Sequence, residues 1–375
     1  MPHKLIPLTE PGPIFSCNYN ASSPSRQKQE SMKRSLPILI LLIVCALTAL
    51  SQRKKFRPSG NSTNFVIQQL APGVWAAIHN DQYGKAICNA GIVDLGDKTL
   101  VFDPFMNLQA AEELKFAAEQ LTGKPVTIVV NSHYHNDHIR GNQVFAPYAN
   151  IISSNYTRNR IAEVEPETQK WERKHAPGLL KATRQMFSAA SGVEKEELPL
   201  WIGYYEGMME CADELKVTLP DIVFEDSLWI LGSERHVKLM EFKNGHTASD
   251  VILCLPEEKI AFVGDLVFVR RHPWMCDGKP QSWRTSLEKL YADKYIQTYV
   301  PGHGPVCEKA GVQDMYDYLT LVQSLADSAA EDSVQISAVQ QTIPVKYRSW
   351  YFGRFYQPNM TYLLDNRRKQ NVNPE

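Results

Sequence analysis

The sequence predicts an α/β protein in which two layers of sheet are covered by helices. Two observations carry this expectation. Short segments rich in Val, Ile and aromatic residues recur on both sides of a charged central block, with turn residues between them. Stretches of helical period alternate with those segments, and the block from 155 to 218 is itself helical in pattern. No internal repeat at a fixed period is present.

Composition narrows the class. The chain has 375 residues, and 40 Lys and Arg nearly balance 41 Asp and Glu, which argues against a nucleic-acid binder. At 43% hydrophobic and 22% charged the composition is that of a globular protein, not a disordered, collagenous or coiled-coil one.

The N-terminal part is read first, because it is set apart from the fold. Leu36 to Leu50 is an uncharged run of 15 residues preceded by Lys33 and Arg34. A membrane span needs about 20 apolar residues, so the run fits the apolar core of a secretory signal peptide, with Ala49-Leu50-Ser51 as a cleavage site. Arg53, Lys54, Lys55 and Arg57 follow at once and hinder export, so an uncleaved anchor is the competing reading. The expected organisation is an upstream extension over 1–31 ahead of Met32, a signal peptide or anchor over 32–51, and a linker over 52–63. The protein is expected to be exported, to the periplasm or beyond the cell, or held at a membrane through residues 36–50 alone.

The elements then follow in order. Strands are expected over Phe65–Leu70, Val74–Ile78, Gly91–Leu95 and Thr99–Phe102. Leu108, Ala111, Leu114, Ala117 and Leu121 share one helical face, and Gly123 stops the helix. Val126–Val130 is a continuous apolar run, read as a buried strand. Within 155–218, Pro166, Pro177 and Pro199 are expected to break the helical pattern. Strands resume at Ile222–Phe224, Leu228–Leu231, His236–Phe242, Val251–Leu255 and Lys259–Val263. A helix near Ser282–Tyr291, a strand near Tyr299 and a helical, aromatic-rich tail over 311–375 complete the chain. Cys88, Cys211, Cys254, Cys276 and Cys307 are scattered and form no C-x-x-C pair, which excludes a disulfide framework and a thiolate zinc cluster.

The chemistry is concentrated at strand ends. The strand Val126–Val130 runs into Asn131-Ser132-His133-Tyr134-His135-Asn136-Asp137-His138. Alternate residues of an extended turn point the same way, so His133 and His135 can grip one cation while Asp137 and His138 face a second. Imidazole with carboxylate suits Zn²⁺. Further candidates stand in Gly-containing turns: His246 in Gly245-His246-Thr247, Asp265 after Gly264, and His303 in Pro301-Gly302-His303-Gly304. At strand ends such side chains can reach a shared cleft.

With these residues in place, the chain resembles the metallo-β-lactamase fold superfamily over roughly residues 64–310. The resemblance implies a four-layer αββα sandwich with a helical insertion at 155–218 and a metal cleft along the edge between the sheets. It implies that His133, His135 and His246 bind a first metal, that Asp137, His138 and His303 bind a second, and that Asp265 bridges them. Zn²⁺, two ions per chain, is implied, with Fe or Mn as alternatives. Asp265 is similar to the bridging residue of the glyoxalase II-like and general hydrolase branches. His135, where the flavodiiron oxidoreductases have Glu, separates the chain from that group. Arg140 stands where many relatives carry Gly, and the later His common in glyoxalase II is missing after Gly245-His246-Thr247-Ala248-Ser249-Asp250.

The activity implied is hydrolysis of an ester, thioester, lactone or amide bond of a small molecule by a metal-bridging hydroxide, with Asp137 as a catalytic group. The alternatives are β-lactamase-type or lactonase activity, and a mononuclear iron persulfide dioxygenase on the same fold. Residues 268–284 should lie beside the cleft, where Arg270 or Arg271 could hold a substrate carboxylate by paired hydrogen bonds and His272, Trp274 and Trp283 could line the wall. In this superfamily insertions often form a substrate-selecting cap, for which Trp171, Met186, Phe187, Trp201, Tyr204, Tyr205 and Met208 are candidates; plain helix packing explains them equally. His79, His175, His236 and His272 are read as surface or core residues in preference to metal ligands. A small-molecule substrate is the expected partner, with no nucleic acid and no membrane contact beyond the N-terminal segment.

Overall fold

The computed structural model describes residues 62–329 and 333–372. The expected extension 1–31, the apolar run 36–50, its basic flank and most of the 52–63 linker lie outside the described residues. Among the described residues no helix is long and apolar enough to cross a membrane.

Two sheets form the centre. The first carries β1 (Phe65–Ala71), β2 (Val74–His79), β3 (Ala90–Asp94), β4 (Thr99–Phe102), β5 (Val126–Val130), β6 (Asn150–Ser154) and β7 (Ile222–Phe224), side by side in chain order. Its first four strands pair antiparallel, and β4 to β7 pair parallel. The second carries β8 (Ser227–Leu231), β9 (His236–Lys243), β10 (Ser249–Leu255), β11 (Ile260–Phe268) and β12 (Thr298–His303), antiparallel except for the parallel pair of β11 with β12.

The inner faces pack on each other. Val74, Ala76, Leu100, Phe102 and Val130 of the first sheet meet Val237, Leu239, Val251, Leu253, Phe262 and Val300 of the second, all buried. Helix α1 (Leu108–Thr122) covers the outer face of the first sheet through Ala110, Leu114 and Ala118. Its Asn107 side chain accepts from the backbone of Gln109 and Ala110, and Gly123 closes it at φ 68°. Short helices α2 (Asn136–Ile139) and α3 (Asn142–Phe145) follow β5, and α4 (Asn155–Ala189) and α5 (Gly192–Cys211) make the insertion. The second sheet is covered by α6 (Pro280–Ala292), α7 (Lys309–Ala329) and α9 (Tyr356–Val372), with α8 (Ser333–Gln341) between the last two. The result is the expected four-layer αββα sandwich. Asn89 fastens the sheets at one edge: its amide donates to the carbonyls of Pro301 and Gly304, both at 2.8 Å, and its backbone N–H donates to Gly302 at 2.7 Å.

Several expectations are corrected. Pro166 and Pro177 lie inside α4 and Pro199 inside α5, so none of them ends a helix. A mid-helix proline costs about 3 kcal/mol. Here α4 buries Glu165, Gln169, Glu172, Ala176, Leu180 and Thr183 along one face, and that burial holds it together. The chain turns instead at 190–192, where Ala190 is extended and Gly192 takes φ 59°. Strand β6 is absent from the sequence reading because its apolar content is only Ile151 and Ile152. Its Ser154 side chain caps α4 by accepting from Thr157. Strand β11 continues past Val263 to Phe268, and its pairing with β12 shifts register at Gly264, φ 51°. Of the insertion candidates, Trp201, Tyr205 and Met208 are buried, whereas Trp171 and Met186 are exposed. The five cysteines beyond residue 51 are all free.

Of the two places expected for His272, the structure gives the core and corrects the cleft wall. It is fully buried between the second sheet and the tail, with Nδ1 2.9 Å from the Tyr318 hydroxyl and Nε2 3.2 Å from the Tyr347 carbonyl. It belongs to the core and lines no cleft.

Burial holds the His272 pKa down at about 4, against 6.5 when exposed. Between those values the unfolded chain takes up a proton that the folded chain refuses, so stability is lost as the pH falls from 6.5 to 4. Urea unfolding should show a decline across that window to which His272 contributes up to about 3 kcal/mol, and His272→Gln should remove that share.

Candidate metal centre

The turn that follows β5 is pinned before it presents any ligand. Asp103, just past β4 and at φ 54°, is fully buried. One of its oxygens accepts from the Ser132 backbone at 2.7 Å, and the other lies 2.8 Å from His138 Nδ1. The Asn131 amide donates to the His138 carbonyl at 3.1 Å. Across the cleft, the Thr247 backbone and hydroxyl donate to Asp250, at 3.1 Å and 2.9 Å, and hold the turn that carries His246. Asp265 sits opposite Gly302, where a Cβ would fall 1.8 Å from Asp265 Oδ1; only glycine leaves room for that carboxylate.

These supports bring together all seven expected ligands, in two groups. His133, His135, His246 and Asp265 form one, and Asp137, His138 and His303 form the other. His246 Nε2 lies 3.0 Å from His135 Nδ1 and 3.3 Å from Asp265 Oδ2, and His133 Nε2 lies 3.8 Å from the same oxygen. In the second group His138 Nε2 and His303 Nε2 are each 3.4 Å from Asp137 Oδ2. Asp265 faces both groups: Oδ1 is 3.2 Å from His138 Nε2 and Oδ2 is 3.3 Å from His303 Nε2.

The arrangement fits metal ions. Donors arranged tetrahedrally at zinc distances stand about 3.3 Å apart, close to the separations found. His133 Nε2, His138 Nε2 and Asp265 Oδ1 are buried and have no hydrogen-bond partner. Orphaned buried polar atoms are costly, and here they converge on common centres. On four of the five rings the opposite nitrogen is occupied, by Asp103 in the case of His138. Nδ1 of His133 meets the Ser132 hydroxyl at 2.9 Å, Nδ1 of His303 donates to the Ile87 carbonyl at 3.0 Å, and Nε2 of His135 lies 3.2 Å from Asp277. Such partners fix which nitrogen is free to ligate. Burial lowers the pKa of His133 well below normal and that of His246 to about 3, keeping both neutral as ligands require. Burial opposes ionisation of Asp265, yet His303 and His138 beside it hold its pKa well below the usual carboxylate range.

The metallo-beta-lactamase superfamily's sequence profile matches residues 83–303, more than half of the chain. The chain belongs to that superfamily. A solved structure, a metallo-beta-lactamase from Pontibacter korlensis, superposes with a TM-score of 0.50 at 18% identity, covering 68% of this chain and 99% of that one. At that identity it shows the shared fold. The tail beyond His303 lies outside the superfamily match.

The residues expected to touch substrate are divided by the structure. Arg271 is buried and bound to Asp81 by two contacts of 2.8 and 2.9 Å, with its guanidinium 4.7 Å from the Tyr351 ring centroid, so it has no free fork for a carboxylate. Arg270 is exposed, at φ 55°, and its carbonyl accepts from Tyr351. Trp283 is core, its indole donating to Leu266 behind His246. Trp274 does reach the centre, donating at 2.8 Å to Asp277, the partner of His135.

Sequence reasoning did not single out Asp103 or Asp277 as partners of the ligands. Asp103 carried a signal, since it ends an apolar strand as the ligands do; Asp277 carried none. His79 is buried, with its ring 6.0 Å from that of His303. Arg140 has a structural role: its Nε is 2.6 Å from Glu165 and its guanidinium 2.7 Å from Glu172, both on α4. Glu172 also accepts from Asn136, between ligands His135 and Asp137, at 2.9 Å.

Asp103→Asn keeps the Ser132 contact and removes the charge behind His138. Metal affinity, read by competition with a chromophoric chelator, should fall about 10–100-fold. Arg140→Leu leaves Glu165 and Glu172 buried without a cation, and urea unfolding should show a loss of about 3–5 kcal/mol.

Proposed function

We propose that this protein is a zinc-dependent hydrolase that holds two ions per chain and cleaves an ester, thioester, lactone or amide bond of a small molecule. The observation that carries the reading is the set of buried, unpartnered ligand atoms on His133, His138 and Asp265, turned to shared centres. His133, His135 and His246 would hold one ion, Asp137, His138 and His303 the other, and Asp265 both. Bound zinc supplies Lewis acidity and lowers the pKa of water toward ~7.

The remaining work falls to the chain. Asp137 is the more exposed carboxylate of the pair, at 15% against 4% for Asp265, so it can orient a water and take part in its proton transfer. Asp265, flanked by four imidazoles, holds the two groups in register. Its bridging position favours the glyoxalase II-like and general hydrolase branches. The complete second group favours two ions over the single iron of a persulfide dioxygenase. Export, or anchorage through residues 36–50, belongs to the same reading, and N-terminal sequencing of the purified protein checks it.

Metal analysis of the purified chain should give about two zinc per chain. A panel of thioester, lactone, β-lactam and phosphodiester substrates should show turnover that chelation abolishes and zinc restores. Asp137→Asn should lower kcat by about 10²–10⁴-fold. One iron per chain with consumption of O₂ would replace the hydrolase reading.

A further inference from the structure

The centre is closed on most sides and open on one. The side chains of His133, His138 and His246 have no exposed surface, and those of Asp265 and His303 have 4–5%. His135 and Asp137 keep 17% and 15%, so the opening lies at these two.

Its border is aromatic and comes from three distant segments. The Phe352 ring lies 5.4 Å from that of His303, Phe355 lies 5.7 Å from Phe352, and Trp274 lies 5.5 Å from Phe355. The Trp274 indole donates to Asp277, which bonds His135. Ring contacts and hydrogen bonds thus link a ligand of one group to a ligand of the other. Trp201 backs it, 5.3 Å from Phe352 and 5.6 Å from Phe355. Trp274 and Phe355 are half-buried, and Phe352 behind them is buried. Beyond His135 the Tyr134 ring stands 4.8 Å away.

Phe352 is held there against its backbone preference. It takes φ 63°, a left-handed conformation that glycine adopts freely and a bulky residue resists. Its N–H donates to the buried Glu197 at 2.8 Å. Three neighbouring cations are engaged, Arg271 with Asp81, Arg160 with Glu163, and Arg354 over the Trp201 ring at 4.2 Å with a contact to the Tyr205 hydroxyl, whereas Arg270 is exposed. The wall between these charges, at Trp274 and Phe355, offers flat apolar surface.

We infer that this wall selects a substrate whose scissile bond adjoins a flat, uncharged aromatic group, and that Phe355 and Trp274 determine that specificity. The inference rests on the hydrolase reading only in placing the bond at the metal centre. Zinc-loaded full-length chain is titrated calorimetrically with phenethyl mercaptan and with cyclohexylethyl mercaptan, thiols of similar bulk that differ in flatness. The phenyl compound should bind about fivefold more tightly or better, and Phe355→Leu should bring the ratio close to one. Equal affinities in the natural chain, a ratio that survives Phe355→Leu, or no binding of either thiol overturns the assignment. Binding needs no turnover, so a barren substrate panel would sink the hydrolase reading while leaving a measured preference for the phenyl compound intact.

Discussion

Concentrated burial of ionisable groups is the constraint on which this structure turns. Five histidines and three aspartates, Asp103 included, share a small volume, and most have almost no access to water. Such a cluster cannot be stable as a set of unpaired polar atoms. Hydrogen bonds settle one side of most of the rings, through Ser132, Asp103, Ile87 and Asp277. On His133, His138 and Asp265 the other side has no hydrogen-bond partner and is open to a cation.

The rest of the fold can be read as the means of meeting that constraint. Ligands leave from strand ends, where the ladder has stopped and side chains are free to converge. Gly302 clears space for the Asp265 carboxylate, and the register shift at Gly264 turns β11 so that its aspartate faces both ligand groups. The insertion is fastened to the ligand turn by a buried charge cluster, Arg140 with Glu165 and Glu172, and Glu172 in turn holds Asn136.

Much of this was legible in the sequence, for a physical reason. Ligand chemistry cannot be spread thinly, so the His133 to His138 turn stands out, and His246, Asp265 and His303 repeat its context at other strand ends. The strands and α1 were legible because their periods and turn residues agree. The failures have common causes. The prolines of α4 and α5 signal breaks locally, but helix packing overrides them. The apolar core of β6 is two isoleucines among polar residues whose hydroxyls serve α4. Arg271 and His272 follow the ligand strand closely in sequence, but the chain there turns to the tail, so one arginine meets Asp81 and the histidine meets Tyr318 and Tyr347. Asp277 reaches His135 across a distance in sequence that leaves no pattern.

Because ligands are drawn from both sheets, neither sheet owns a complete site. The Asn89 clamp joins their edges across more than half of the chain, and such non-local pairing forms slowly. During synthesis the emerging polypeptide first carries only the His133 to His138 part of the ligand set. Selection among ions belongs to the docked pair of sheets, whose geometry, not raw affinity, can tell them apart.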